Sequence, residues 1–525
     1  MKGDANRGGK VTANRRVILG RMRTTSVLLV LPAIAIAQGV SNGDTICAPP
    51  VMREFRAIWV ATVNNIDWPS RRDLTTAEQQ QELLAILDRA AELKMNAVVL
   101  QVRPEADALY ASPYEPWSRY LTGRQGRAPS PAWDPLAFAV REAHQRGLEL
   151  HAWFNPYRAA FSRDSATART HVSRQRPDLV VPYGHFLWMN PGLSDVRRRA
   201  VRAITDVVRR YDVDGVHIDD YFYPYPESDA SGHTIEFPDE TTYAAYRRAG
   251  GRLEKSDWRR RNVNLFVRDL YRAVKAEKNW VKVGISPFGI YRPGIPQTTM
   301  SGIDQYEELS SDVLRWLHQG WLDYIAPQLY WPVQPPEQSY PVLLRWWVQE
   351  NTKHRHVWPG LALYKLAVSG PRKMRPEDII QEILITRETP GATGHILFNT
   401  RVLMDNTEWI ADRLAPVYAE PALVPASPWL DDEPPPAPGV RVVRDSANAA
   451  DVVHFAPHGN QRVAWWVVQS RIGGVWRTTI LPGATRTHIL KDDADAELVS
   501  VSAVDRSGNA SAPVVVRHVL AGGAQ

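Results

Sequence analysis

The amino-acid sequence predicts an α/β protein, a (β/α)8 TIM barrel followed by a C-terminal all-β, immunoglobulin-like sandwich. Three observations carry the prediction. Between residues 53 and 418, eight short apolar runs alternate with longer stretches of helical periodicity. A proline-rich break, PALVPASPWLDDEPPPAP, occupies residues 421–438. Beyond it, short runs of alternating polar and apolar residues replace the helical period. The 525 residues, 44% hydrophobic and 23% charged, suffice for one large and one smaller core and exclude wholesale disorder.

The elements follow in chain order. Lys2, Arg7, Lys10, Arg15, Arg16, Arg21 and Arg23 stand against Asp4 alone, and an apolar run from Ser26 ends in Ala35-Ile36-Ala37. That is the pattern of a secretory signal peptide, assigned to residues 1–37, with a run too short to persist as a membrane span. Its removal takes seven of the 63 basic residues and one of the 57 acidic ones, leaving a formally neutral chain. The net charge of +6 therefore gives no support to nucleic-acid binding. A periplasmic or secreted protein without a stable transmembrane segment is expected. Asn14-Arg15-Arg16 resembles a twin-arginine signal, whereas a start at Met22 gives an ordinary short one. Residues 38–52 read as a linker. Cys47, the only cysteine, allows no internal disulfide, and Asp44-Thr45-Ile46 before it is not a lipoprotein processing site.

Within residues 53–418 the strand candidates are 55–62, 97–102, 148–154, 215–219, 281–286, 324–329, 357–363 and 395–398. Helical segments lie between them at 76–93, 135–146, 195–211, 258–278, 306–319 and 377–387. A doubly wound open sheet is the rival, but no glycine-rich phosphate loop follows any strand. Residues 419–438 read as a semi-rigid spacer. Residues 439–525 read as a fibronectin type III-like sandwich with strands at 441–443, 452–455, 463–469, 475–479, 487–490 and 498–504. One of Trp465 and Trp466 is expected in its core.

A barrel places its chemistry at the C-terminal ends of its strands, on inward-facing residues. Strand side chains alternate faces. In 214–221, Val216 and Ile218 face the helices, His217 and Asp219 face the mouth, and Asp220 opens the loop. The same parity brings Gln101, Arg103, Trp153, Asn155, Gln328, Tyr330 and Asn399 to that end. Aromatic residues gather in the same segments, among them Trp68, Trp153, Tyr221, Tyr330 and Trp331. Aromatic faces stack on sugar rings while amides, arginines and carboxylates bind hydroxyls, so the set describes a glycan cleft. Asn64, Asp107 and His217 complete the expected substrate-binding residues. Asp219, Asp220 and Glu105 are the candidate catalytic carboxyls. No cofactor signature is present, and His217 has no second histidine at metal-ligand spacing.

Residues 55–69 (FRAIWVATVNNIDWP) resemble the opening of the glycosyl-hydrolase-like family ten of bacterial envelopes. QVRPEADALY at 101–110, HAWFNPYR at 151–158, 214–224, GISPFG at 284–289 and PQLYW at 327–331 are similar to further blocks of that family. The resemblance implies a (β/α)8 glycoside hydrolase acting on the amino-sugar glycan of the bacterial cell wall. Glycoside hydrolysis needs a protonated carboxyl and a group that stabilises the oxocarbenium-like centre. Two mechanisms stay open on the sequence. In one, similar to substrate-assisted enzymes of N-acetylated sugars, one of Asp219 and Asp220 is the acid, the other orients the acetamido group, and Tyr330 assists. In the other, Asp219 is a nucleophile and Glu105 or Asp107 the acid/base. A non-catalytic glycan-binding or scaffold protein is the competing function. A structural or calcium-binding aspartate pair is the bland alternative.

Overall fold

A computed structural model describes residues 48–517 apart from Pro335, 446–449, 460–461 and 491–495. The signal peptide, the linker up to Cys47, and that cysteine lie outside the described residues. Eight parallel strand segments build the main sheet. They are β1 (Phe55–Val60), β2 (Ala97–Arg103), β3 (Glu149–Phe154), β4 (Gly215–Ile218), β5 (Lys282–Ile285), β6 (Tyr324–Ile325), β7 (His356–Val357, resuming at Gly360–Leu361) and β8 (Gly394–Leu397). The first piece of β7 pairs with β6 and the second with β8, while β8 pairs with β1. The sheet order therefore returns on itself through one segment, giving a TIM-barrel-like fold.

A principal helix follows each strand, with shorter helices in some of the loops: α1 (Thr76–Glu92), α2 (Pro135–Gln145), α3 (Ser194–Arg210), α4 (Lys255–Glu277), α5 (Val313–Gln319), α6 (Tyr340–Glu350), α7 (Pro376–Glu388) and α8 (Ile410–Val417). Thr75 starts α1 with a capping box to Glu78, and Asp134 caps α2 ahead of Pro135. All eight expected strands are present. The helix expected over 306–319 starts only at Val313, because Ser310 takes a left-handed φ of 55° and breaks the run. Helix α6 is not among the expected helices, although Tyr340, Leu343, Leu344 and Trp347 form one buried face along it.

Alternation along β1 divides the core. Ile58 and Val60 pack against the helices, whereas Phe55, Ala57 and Trp59 fill the barrel interior with Trp153, Tyr324 and Trp358. Phe55 stacks on Trp358 at 3.7 Å. Glycines make room for these rings: a Cβ on Gly215 would strike His151, and one on Gly284 would strike Tyr324.

The proline-rich stretch, expected as a semi-rigid spacer, packs along the barrel. Leu423 exchanges backbone hydrogen bonds with Met52 and Glu54, and Val424 buries in the lower barrel core. Trp429 Nε1 donates to Asp323 Oδ1 at 2.9 Å. Its apolar residues bury more surface against the barrel than a free linker would. Beyond it, one antiparallel sheet holds Gly439–Asp445, Ala450–Ala456 and Thr487–Ile489. A second holds Val475–Pro482, Trp465–Ile472, Leu498–Val504 and Val514–Arg517. The two share a core around Trp466, Phe455 and Val499. Trp465, on the opposite face, donates to the Gly147 carbonyl at 2.8 Å, just ahead of β3. Asp212, just ahead of β4, pairs with Arg462 and Arg506. The C-terminal sheets thus dock at the N-terminal ends of the barrel strands. Among the described residues, no helix is long and apolar enough to cross a membrane.

Candidate active site

At the opposite end, Asp219 and Asp220 leave β4 side by side, 8% and 2% exposed. Their surroundings differ. Asp219 accepts three N–H groups: the Asp220 amide at 3.0 Å, Asn155 Nδ2 at 3.4 Å and Gln328 Nε2 at 3.5 Å. Asp220 Oδ2 accepts the Tyr225 hydroxyl, whereas Oδ1 is buried without a partner. Burial raises the pKa of both carboxyls. It raises Asp220 further, because the Asp219 charge adds to it, while N–H donors and the Arg158 charge hold Asp219 back. The environments split the pair, with Asp220 held further toward its protonated form than Asp219.

Asn155 is oriented from behind. Gln101 Oε1 accepts the Thr62 and Val63 amides, each at 2.8 Å, which turns its Nε2 toward Asn155 Oδ1 at 2.5 Å. The amide nitrogen of Asn155 is thereby left for Asp219. Gln328 is fixed by donating to the Ser286 carbonyl at 2.9 Å.

Aromatic residues frame the pair. Tyr221 meets Tyr225 edge-on at 5.4 Å, Tyr330 stacks on Phe398 at 6.1 Å, and Trp331 meets Phe288 at 5.5 Å. Tyr221, Gln328, Tyr330 and Trp331 are partly exposed at this end. Asn399, at the exit of β8, keeps Oδ1 buried and unpartnered, as does Trp153 its Nε1. Together with Asp220 Oδ1, these are two acceptors and a donor without protein partners, where buried polar atoms are nearly always paired. Asn64 stands exposed in a left-handed conformation, φ 52°, and accepts the Tyr120 hydroxyl at 3.2 Å.

Several expected site residues serve the scaffold instead. Arg103 is fully buried in a bidentate pair with Glu115, both contacts 2.6 Å. A register irregularity pairs Gln101 with Trp153 but Arg103 with Phe154, so the parity read from sequence fails beyond Gln101. Trp68 is fully buried and donates to the Gln79 carbonyl on α1 at 2.9 Å, anchoring its loop to the helix layer.

His217 faces inward as predicted but lies one layer below the mouth, with no exposure. Trp59 Nε1 donates to its Nε2 at 3.1 Å, which puts the proton on Nδ1, 3.0 Å from the Tyr324 hydroxyl. Tyr324 continues to His151 Nδ1 at 3.0 Å, and His151 Nε2 meets Glu149 at 2.9 Å. Burial holds His217 neutral, its pKa well below the usual value.

Glu105 and Asp107 are also buried. Glu105 accepts the Phe161 amide and faces Arg119 at 3.4 Å, while Asp107 accepts the Glu105 amide and Gln125, each at 3.1 Å. Burial and the Glu105 charge push Asp107 up to about 7. No hydrogen bond joins either to the aspartate pair among the described residues, so they form a separate cluster. No group of three or more metal-ligating side chains is found among the described residues.

A TIM-barrel-like fold with an unequal carboxyl pair at its strand exits, framed by aromatic rings and amides, is the architecture of a glycoside hydrolase. The profile described as Glycosyl hydrolase-like 10 matches residues 54–377, and the chain belongs to that family. Glycosyl hydrolase YngK of Bacillus subtilis (strain 168) is 40% identical over 451 residues, covering 83% of this chain and 86% of the relative. Glycosyl hydrolase DigH of Escherichia coli (strain K12) is 35% identical over 418 residues, covering 72% of this chain and 92% of that one. Among solved structures, the PgaB (BpsB) glycoside hydrolase domain of Bordetella bronchiseptica aligns with a TM-score of 0.45 at 16% identity, covering 70% of this chain and 99% of that one.

Proposed function

We propose that the protein is an exported glycoside hydrolase that cleaves peptidoglycan-type glycan strands of N-acetylated amino sugars. The unequal aspartate pair is the observation that supports this most. Asp220 gives its proton to the glycosidic oxygen, which leaves as an alcohol. Asp219, held by Asn155, Gln328 and the Asp220 amide, orients the acetamido group, whose carbonyl oxygen attacks the anomeric carbon. The Tyr330 hydroxyl steadies that carbonyl. Water then opens the cyclic intermediate and returns a proton to Asp220, leaving a free reducing end. Direct attack by Asp219 has less support, because Glu105 and Asp107 are engaged in their own cluster. On this reading residues 1–37 direct export and 53–418 carry the chemistry. The proline-rich residues 419–438 join them to a fibronectin type III-like module at 439–525, away from the cleft.

Mass spectrometry of products from purified cell-wall glycan, with and without stem peptides, tests the proposal. New oligosaccharides from wild type, absent with Asp219→Asn and Asp220→Asn, are expected. Tight binding with no products from either glycan would replace the hydrolase with a glycan-binding protein.

A further inference from the structure

Among the described residues, Arg158 carries a positive charge at the mouth that makes no direct ion pair with a carboxylate. It opens the small antiparallel sheet (Arg158–Ala160, Phe186–Met189, Val180–Tyr183) that follows β3, three residues beyond Asn155. The residue is 4% exposed. Nε donates to the Pro104 carbonyl at 3.0 Å, and the guanidinium lies beside the rings of Tyr221 and Phe161, 5.4 and 5.8 Å from their centroids. Among the described residues its Nη1 and Nη2 make no hydrogen bond or ion pair. They are nevertheless absent from the polar atoms sealed off without a partner, so solvent reaches them. Other arginines nearby are answered: Arg103 holds Glu115 and Arg119 faces Glu105. Asp219 and Tyr221 both feel the Arg158 charge, which places it beside the aspartate pair.

The outer edge of this guanidinium makes no direct contact with a carboxylate, and such a planar edge fits one with two parallel hydrogen bonds. We propose that Arg158 selects the substrate by binding a carboxylate carried on the sugar chain, so that the preferred glycan is acidic. The inference rests on the glycosidase reading and adds to it a charge requirement at a particular residue. The carboxylate has two chemical sources, an acidic substituent on a hexosamine or the ring carboxylate of a uronic acid.

The test compares kcat/KM on an acidic hexosamine glycan, the same glycan with its carboxylates reduced to alcohols, and a uronate-containing oligosaccharide. Wild type, Arg158→Gln and Arg158→Lys are measured, with melting temperatures confirming folding. Wild type is expected to favour the acidic over the reduced glycan by about 10- to 100-fold, mainly through KM. Arg158→Gln brings that ratio close to one, and Arg158→Lys keeps part of it because it retains charge without the fork. Equal cleavage by wild type of acidic and reduced glycan overturns the proposal. So does an Arg158→Gln variant that keeps the wild-type ratio. The uronate arm identifies the source of the carboxylate. Calorimetric binding of the same oligosaccharides to full-length Asp220→Asn, with and without Arg158→Gln, reads the preference without turnover. A wild type that cleaves nothing therefore fails the hydrolase reading, while the binding ratio still decides Arg158.

Discussion

Two adjacent carboxyls become different reagents when one is given donors and the other is not. Asp219 receives three N–H groups, whereas Asp220 receives one hydroxyl and keeps a bare oxygen. That division depends on Gln101, whose two backbone contacts fix which end of Asn155 meets Asp219. Gln101→Met leaves the Thr62 and Val63 amides unpaired and Asn155 free to turn. It should cost about 1–3 kcal/mol in stability and lower kcat more than it raises KM, read by denaturant melts and steady-state kinetics. The aspartate pair was legible in the sequence because strand parity holds along β4. Parity failed at Arg103, where an irregular register is invisible in the residues. Trp68 failed for another reason, since aromatic content does not tell a rim residue from a loop anchor. Arg158 was visible only as part of a family block, because a missing direct ion pair needs coordinates to be seen.

At the scale of elements, apolar runs identified all eight strands, since residues buried on both faces leave little ambiguity. Helix α6 buries Tyr340, Leu343, Leu344 and Trp347 on one face and is not among the expected helices, and α5 is shorter than expected because the chain breaks at Ser310. Helix α7 carries a group with consequences for stability. Glu382 is fully buried with both carboxyl oxygens unpartnered, and burial lifts its pKa well above the usual 4.5. The folded state thus holds the proton more tightly than the unfolded chain. Its stabilising effect is complete below about pH 4.5 and is lost as pH rises toward the folded value. Glu382→Gln removes that slope. The melting temperature of the variant relative to wild type should increase between pH 4.5 and 8, and a constant difference across that range would contradict the assignment.

For the whole molecule, the two ends of the barrel divide the work. The lower end is closed by Val424, the proline-rich stretch and the C-terminal sheets, and the upper end is left to the carboxyl pair. Trp465→Ala removes a ring wedged between the C-terminal sheets and the Gly147 turn. It should lower stability by about 3 kcal/mol, seen as a reduced melting temperature, while kcat/KM stays within about twofold. This division was only partly legible: the proline-rich break marked a change from helices to strands, but not that the break itself packs. The division of roles proposed for the pair has Asp220 deliver the proton and Asp219 orient the substrate. It is tested most directly by the leaving-group dependence of Asp220→Asn and Asp219→Asn. An aryl glycoside with an acidic phenol needs no proton to depart, whereas a sugar alcohol does. Asp220→Asn should lose about 10²- to 10⁴-fold on glycan and far less on the aryl glycoside, while Asp219→Asn is slow on both. Equal losses for Asp220→Asn on the two substrates would contradict it.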